Sequence, residues 1–319
     1  MGKIDEFVKI QNETNRVAKN LFKKLCTLGY GDNFLEECQD VDFIEQIILK
    51  LSPNSTRSIT TICSLLSTYA NYTENDIAYQ TIKNIDRNLL WEKAKPNAKK
   101  KYISHKTYLD VIHEISENEK PKELNGFYYR TLFRVIYEGI YCDDMSVIAN
   151  LKSSDIKGNI VELHTDDKES YKIKLPSDLI KDLKKLSNCD EWERKNRFGE
   201  FRVKTFGKYP DSCFKIENRK NNSETTYRFG YYNRLRKIAK EYIGYNLVPL
   251  QLFISGIMYR ICLKLDENNI SLDDAFADQN RDKKVSSIIT NELLRCNHKI
   301  PVRAFREQVI GHLDIFREW

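Results

Sequence analysis

FYYRTLFRVIYEGIYCDDMSVIANLKSSDIKGNIVELHTDDKESYKIKLP, residues 127–176, is the stretch whose reading decides the fold. Leu132, Phe133, Ile136 and Tyr137 fall on one face at helical spacing, and Gly139 marks the turn that ends that helix. Met145, Ile148 and Leu151 repeat the helical period over a shorter run. Lys157-Gly158-Asn159 then opens a hairpin over 159–175, in which Val161 and Leu163 alternate with polar neighbours, as do Ile173 and Leu175 across a polar turn. Helix, glycine turn, short helix and hairpin in that order predict a mainly α domain with a small β-hairpin or sheet.

Outside this segment the chain alternates apolar-periodic runs with breaks. At 319 residues it is long enough for two domains, each with its own core. The first ninety residues suggest a bundle of about four helices, with Leu21, Leu25 and Leu28, then Ile44, Ile47, Ile48 and Leu51, then Ile59, Ile62, Leu66 and Tyr69 marking three faces. The stretch Trp91–Tyr108 carries a proline, no apolar period and closely spaced lysines, and reads as a linker centred on 93–103. A helix beginning near Ser104 presents Tyr108, Ile112 and Ile115 on one face. Residues 187–228 look least regular, a loop or an extra hairpin; helices are predicted over 231–242 and 250–265, and an apolar stripe of Val302, Phe305, Val309, Leu313 and Phe316 ends the chain.

Charge is localised. Residues 93–110 hold six basic side chains against one acidic, and residues 181–240 hold 17 against eight, on a net charge of +6. Clustered Lys and Arg attract phosphate backbones because each contact releases condensed counterions. The eight cysteines are scattered with no Cys-x-x-Cys pair, which favours small buried hydrophobes in a reducing compartment. The opening MGKIDEFVKI lacks the apolar run of a signal peptide, and Pro249, Gln251, Arg260 and Lys264 make 247–265 a buried core helix in preference to a membrane span. The five histidines show no metal-ligand spacing, and no phosphate-binding glycine loop, dinucleotide fingerprint or nucleophile elbow is present. No metal and no cofactor is expected.

The series of elements in 127–176 resembles the first half of the catalytic domain of tyrosine recombinases, the phage integrases. In that family a helical core-binding domain joins the catalytic domain through a linker, and the two close on duplex DNA. The resemblance therefore implies a core-binding domain over 1–92, a basic linker over 93–103 and a catalytic-like domain over 104–319. Catalysis in the family uses a tyrosine nucleophile, two arginines that cradle the phosphate, and a lysine and histidines that handle protons. Glu138-Gly139-Ile140 matches the triplet before the first arginine, whose position falls on Tyr141. The second motif aligns Val248-Pro249-Leu250-Gln251-Leu252-Phe253, placing Leu250 at its histidine and Phe253 at its arginine. The hairpin lysine has only Lys168 as a nearby candidate, beside His164 and Asp166, and the later histidine would fall near 278–281, where there is none. No tyrosine lies beyond Tyr259, so the nucleophile is missing from the region that should carry it. No catalytic residue is assigned, and the chain is expected not to be an enzyme.

A recombinase scaffold without its chemistry implies a sequence-specific DNA-binding repressor of the kind that maintains prophage lysogeny, with a divergent active recombinase as the alternative. Phosphate contacts are expected from Lys95, Lys99, Lys100, Lys101 and Lys106 in and after the linker, and from Arg197, Arg202, Lys204, Lys208, Arg219, Lys220, Arg228, Arg234 and Arg236. Arg57, with Asn54, Thr56 and Thr60 around it, and Gln251 are the candidates for reading bases. The implied partners are operator duplex DNA, a second copy through the C-terminal helix and a protein antirepressor, with no membrane, in the cytoplasm and associated with the nucleoid.

Overall fold

The computed structural model describes residues 2–11, 16–36, 40–53, 56–94, 101–117, 124–166, 169–195, 201–216, 223–277 and 282–317. It divides into two compact units, Met1–Lys99 and Lys100–Trp319.

Within the first unit six helices are described: α1 (Lys3–Gln11), α2 (Arg16–Thr27), α3 (Val41–Lys50), α4 (Thr56–Tyr72), α5 (Asp76–Lys83) and α6 (Arg87–Ala94). Most residues of the faces read from sequence are buried: Leu25, Ile44, Ile47, Ile48, Ile59 and Leu66 are wholly inaccessible, whereas Leu21 is only partly buried and Leu28 is exposed. An aromatic cluster closes one end, where Phe7 meets Phe22 at 5.2 Å and Tyr69 at 5.1 Å, and the Tyr69 hydroxyl donates to the Asp32 carbonyl at 2.7 Å. The sequence reading of about four helices missed the short ones. Asn75 caps α5 by accepting from the Ala78 amide, and Trp91, which had read as linker, is buried in α6. Its helix is anchored by Lys93, whose Nζ sits 2.5 Å from Glu45. Leu90, Trp91 and Ala94 facing inward leave too little period in eight residues to be recognised.

The second unit contains the deciding segment. α7 (His105–Glu117) is capped by Ser104, whose Oγ accepts from the Thr107 amide, and it buries Tyr108, Val111 and Ile115. α8 (Leu124–Tyr137) buries Leu132, Phe133, Ile136 and Tyr137 as its spacing requires. After the Gly139 turn comes the single turn α9 (Ser146–Ala149). The hairpin gains a third strand, so that β1 (Ile156–Lys157), β2 (Ile160–His164) and β3 (Ser170–Lys174) form an antiparallel sheet in the order β1-β2-β3. Val161 stands opposite Ile173, and both are buried on one face, while Gly158 adopts φ +62° in the β1–β2 turn.

α10 (Ser177–Ser187) follows, and the basic region that looked irregular contains a hairpin of β4 (Glu191–Lys195) and β5 (Phe201–Thr205). α11 (Glu224–Ile238) starts seven residues before the sequence reading placed it, because Ser223 caps it by accepting from the Thr226 amide. Its C-terminus loosens into a π turn, Ala239–Ile243, closed by Gly244 at φ +81°. α12 (Pro249–Asp266) is the central helix, buried along Leu252–Met258 and again at Ile261, Cys262 and Leu265. α13 (Leu272–Phe276), α14 (Lys283–Arg295), α15 (Val302–Val309) and a 3-10 segment, Ile310–Arg317, complete the unit. Phe305, Val309 and Phe316 of the terminal stripe are buried in this same core, so the chain covers that stripe itself. Among the described residues no helix is long and apolar enough to cross a membrane. The architecture is mainly α with a small antiparallel sheet.

Candidate nucleic-acid interface

The segment after α8 turns sharply because Gly139 sits at φ +110°, where a Cβ would also lie 2.6 Å from the Cys296 sulfur. The turn delivers Tyr141-Cys142-Asp143-Asp144 to the start of α9, with Met145 in the left-handed region at φ 59°. Asp144 Oδ1 accepts from the Ser146 amide at 2.9 Å and from the Cys142 thiol at 3.1 Å. Burial pushes the Cys142 thiol up to about 11.

Tyr141 and Phe253, the residues that the sequence resemblance aligns with the two recombinase arginines, are 112 residues apart in sequence and come together here. The Tyr141 and Phe253 rings pack with centroids 5.1 Å apart. The Tyr141 hydroxyl donates to Asp143 at 2.8 Å; burial, with that carboxylate next, raises its pKa. Phe253 is fixed by the first turns of α12, which Pro249 opens from an extended Val248. An aromatic pair has no charge to offer a phosphate, whereas two guanidinium forks would supply as many as ten donors.

A histidine does stand beside this pair, though not where sequence reasoning sought it. His298 lies edge-on to Phe253 at 5.2 Å; its Nε2 is buried and, among the described residues, without a hydrogen-bond partner. Burial lowers its pKa, and Asp143 partly opposes that. The signal was weak in sequence because His298 follows α14 by a connection whose length the motif spacing does not fix.

Arg228 is enclosed in acid. Its Nη1 lies 2.6 Å from Asp166 and 3.0 Å from Asp144, and its Nε lies 3.7 Å from Glu224. Lys208 pairs with Glu224 at 2.8 Å, and the Tyr209 hydroxyl donates to Glu224 from a residue held at φ 57°. Burial works against the Arg228 charge, but the Asp166 hydrogen bond and charge, then Tyr209 and Asp144, outweigh it and raise the pKa. The hydrogen bond from Arg228 in turn lowers Asp166. Burial and Glu224 together raise the Tyr209 phenol.

The other proposed contacts divide by environment. Arg234 donates to the Tyr128 hydroxyl at 2.7 Å and lies over its ring. Arg236 is exposed on α11, near the Tyr232 ring at 6.0 Å, and Tyr232 stacks on the exposed Phe229 at 5.3 Å. With Asn233, Lys237 and Lys240, also exposed, these residues form a basic and aromatic face on α11 that the sequence reading only partly gathered. Lys106 is exposed on α7, whereas Lys101 is half-buried over the Tyr102 ring, where burial lowers its pKa. Arg57 is exposed on α4. Gln251 caps its own helix: its Oε1 accepts from the Val248 amide at 3.0 Å. Lys95, Lys99, Lys100, Arg197, Arg219 and Lys220 lie outside the described residues, as do Asn54 and Lys168, and for Arg202 and Lys204 only the β5 backbone is described.

The adjacent acids Asp143-Asp144 and Asp273-Asp274 are each engaged by other side chains. Asp143 receives Tyr141, Asp144 receives Arg228, Asp273 pairs with Arg317 at 2.5 Å, and Asp274 accepts from Ser271 at 2.6 Å. No group of three or more ligating side chains among the described residues could hold a metal ion.

A helical unit whose α8 turn, three-stranded sheet and α12 converge in this way defines a protein of tyrosine-recombinase-like fold. More narrowly, the chain belongs to the family described as MrpR, C-terminal catalytic domain, whose model matches residues 112–279. Among solved structures it is distantly similar to a XerA recombinase crystal structure, at 12% identity over 97% of each chain and a TM-score of 0.36. None of the curated proteins matches it.

Proposed function

We propose that this protein is a sequence-specific, duplex-DNA-binding transcriptional repressor built on a tyrosine-recombinase scaffold that does not cut DNA. The observation that supports the reading is the Tyr141–Phe253 contact at 5.1 Å, a pair of uncharged rings formed by the two residues that the resemblance aligns with the family's arginines. Two phenols in this region argue the same way. Tyr141 and Tyr209 both donate to carboxylates, and burial raises both pKa values, the reverse of what a tyrosinate nucleophile needs. Losing one electrostatic stabiliser typically costs ~10²–10³ in rate, and this site lacks two.

Binding would draw on the exposed face of α11, on Lys106 and on the basic stretch 93–103 that joins a core-binding domain over 1–92 to a catalytic-like domain over 104–319. In this reading the protein resembles the master repressor that maintains lysogeny in SPbeta-like prophages. It would act on operator sites in the cytoplasm, associated with the nucleoid, and be relieved by a protein antirepressor. A homodimer contact through the C-terminal helix would use its outer side, around Arg303 and Ile310, since the apolar stripe is already covered.

Gel shifts of host and prophage fragments across a salt series test binding, with retardation weakening as salt rises expected. A suicide duplex tests chemistry. A protein–DNA adduct surviving denaturation would overturn the repressor reading in favour of a divergent active recombinase.

A further inference from the structure

Arg228 stands one residue before Phe229 on α11, yet it presents little to solvent. Its side chain is 14% exposed, whereas Asp144, Asp166 and Glu224 around it are 56%, 48% and 44% exposed. The carboxylates face outward and the cation faces them. With Lys208 included, two positive groups meet three negative ones, so the cluster is net negative in the middle of a basic region. Glu224 reaches Arg228 across one turn of α11, but Asp144 and Asp166 come from the turn after α8 and the β2–β3 turn, so no local helix pattern brings these two to it. A guanidinium that donates to carboxylate oxygens can donate in the same way to phosphate oxygens.

We propose that Asp144 and Asp166 serve as an internal substitute for phosphate, holding Arg228 shut against the DNA backbone, so that neutralising them opens a phosphate contact beside the exposed face of α11. The device lowers sequence-independent affinity at that face and leaves the remaining contacts to select the site. It rests on the DNA-binding reading above.

The test compares the full-length protein with Asp144→Asn/Asp166→Asn by fluorescence anisotropy on a labelled duplex of mixed sequence, across a salt series. The double variant is expected to bind roughly three- to fivefold more tightly at low salt, with a log–log salt slope steeper by about 0.9, the value of one added phosphate contact. Adding Arg228→Gln to the double variant is expected to abolish the gain, and Arg228→Gln alone is expected to leave the wild-type slope unchanged. A gain that survives Arg228→Gln would be a general charge effect and would overturn the proposal, as would weaker binding by a double variant whose circular dichroism is native. If the double variant does not fold, Asp166→Asn alone is read in the same way, with unchanged affinity and slope counting against the proposal. Wild-type binding without a gain defeats the device alone; absence of binding by both proteins defeats the DNA-binding reading with it.

Discussion

Replacing Gly256 with alanine should destabilise the larger unit, against the ordinary preference of helices for alanine. Gly256 lies in the middle of α12, and a Cβ built there falls 1.8 Å from the Tyr137 carbonyl oxygen and 2.7 Å from its carbonyl carbon. Restoring a C···O contact of about 3.3 Å would push α8 and α12 apart by about 1.5 Å. That carbonyl also accepts from Arg260 Nη1 at 2.9 Å, and the ring of the same tyrosine stacks on Tyr108 at 3.8 Å, so the separation reaches both. Overpacking of this kind costs about 1–3 kcal/mol. Loss of a hydrogen bond from a charged donor adds about 1.5–3 kcal/mol. Helix propensity returns about 1 kcal/mol for glycine to alanine. The balance is about 3 kcal/mol of lost stability, equivalent to a fall of roughly 6–12 °C in Tm for a unit of this size. Differential scanning calorimetry of Gly256→Ala resolves the transition of the larger unit. A Tm equal to or above the wild type would refute the reasoning, because propensity alone would then have decided the outcome.

Other perturbations have equally definite signs. His312 is buried edge-on to Tyr102, and burial, with Lys101 adding to it, lowers its pKa to about 4. The folded chain therefore resists protonation where the unfolded chain accepts it. Stability on this account is complete above an unfolded pKa of about 6.5 and falls by up to roughly 3 kcal/mol as pH drops toward about 4. Urea unfolding at neutral and mildly acid pH should show a smaller loss in His312→Gln than in wild type, and equal losses would rule the histidine out. Glu292 receives Arg260 at 2.5 Å and Arg295 at 2.8 Å while almost wholly buried, so Glu292→Leu strands two cations and should cost about 3–5 kcal/mol in chemical denaturation. Arg236→Gln should flatten the salt slope of DNA binding by about 0.9 without altering the melting curve, and an unchanged slope would remove α11's outer face from the interface.

How much of this was legible in the sequence depended on period. The α8 face, the α7 face and the β2–β3 alternation could be read because each element turns apolar residues at its own period into the core. α6 could not be read, because one tryptophan and two other buried residues in eight positions leave no repeat. The true start of α11 was hidden by the polar run Ser223–Thr226, whose helical role is set by a capping contact. Charge counts correctly located basic segments but could not say which cations were available. Arg228 and Arg236 lie eight residues apart on one helix, and only the first meets carboxylates from two distant turns.

Sequence alone determined the helical class, the order of elements from α8 through the sheet, and the lack of any tyrosine beyond Tyr259. Those follow from local periodicity and from residue identity, which need no partner. Only the tertiary structure decided that Tyr141 and Phe253 touch, that His298 completes their surroundings, that Gln251 serves its own helix, and that the terminal stripe folds into its own core. Each of these depends on groups distant in the chain, and on desolvation and Coulomb terms that exist only once those groups are within a few ångströms.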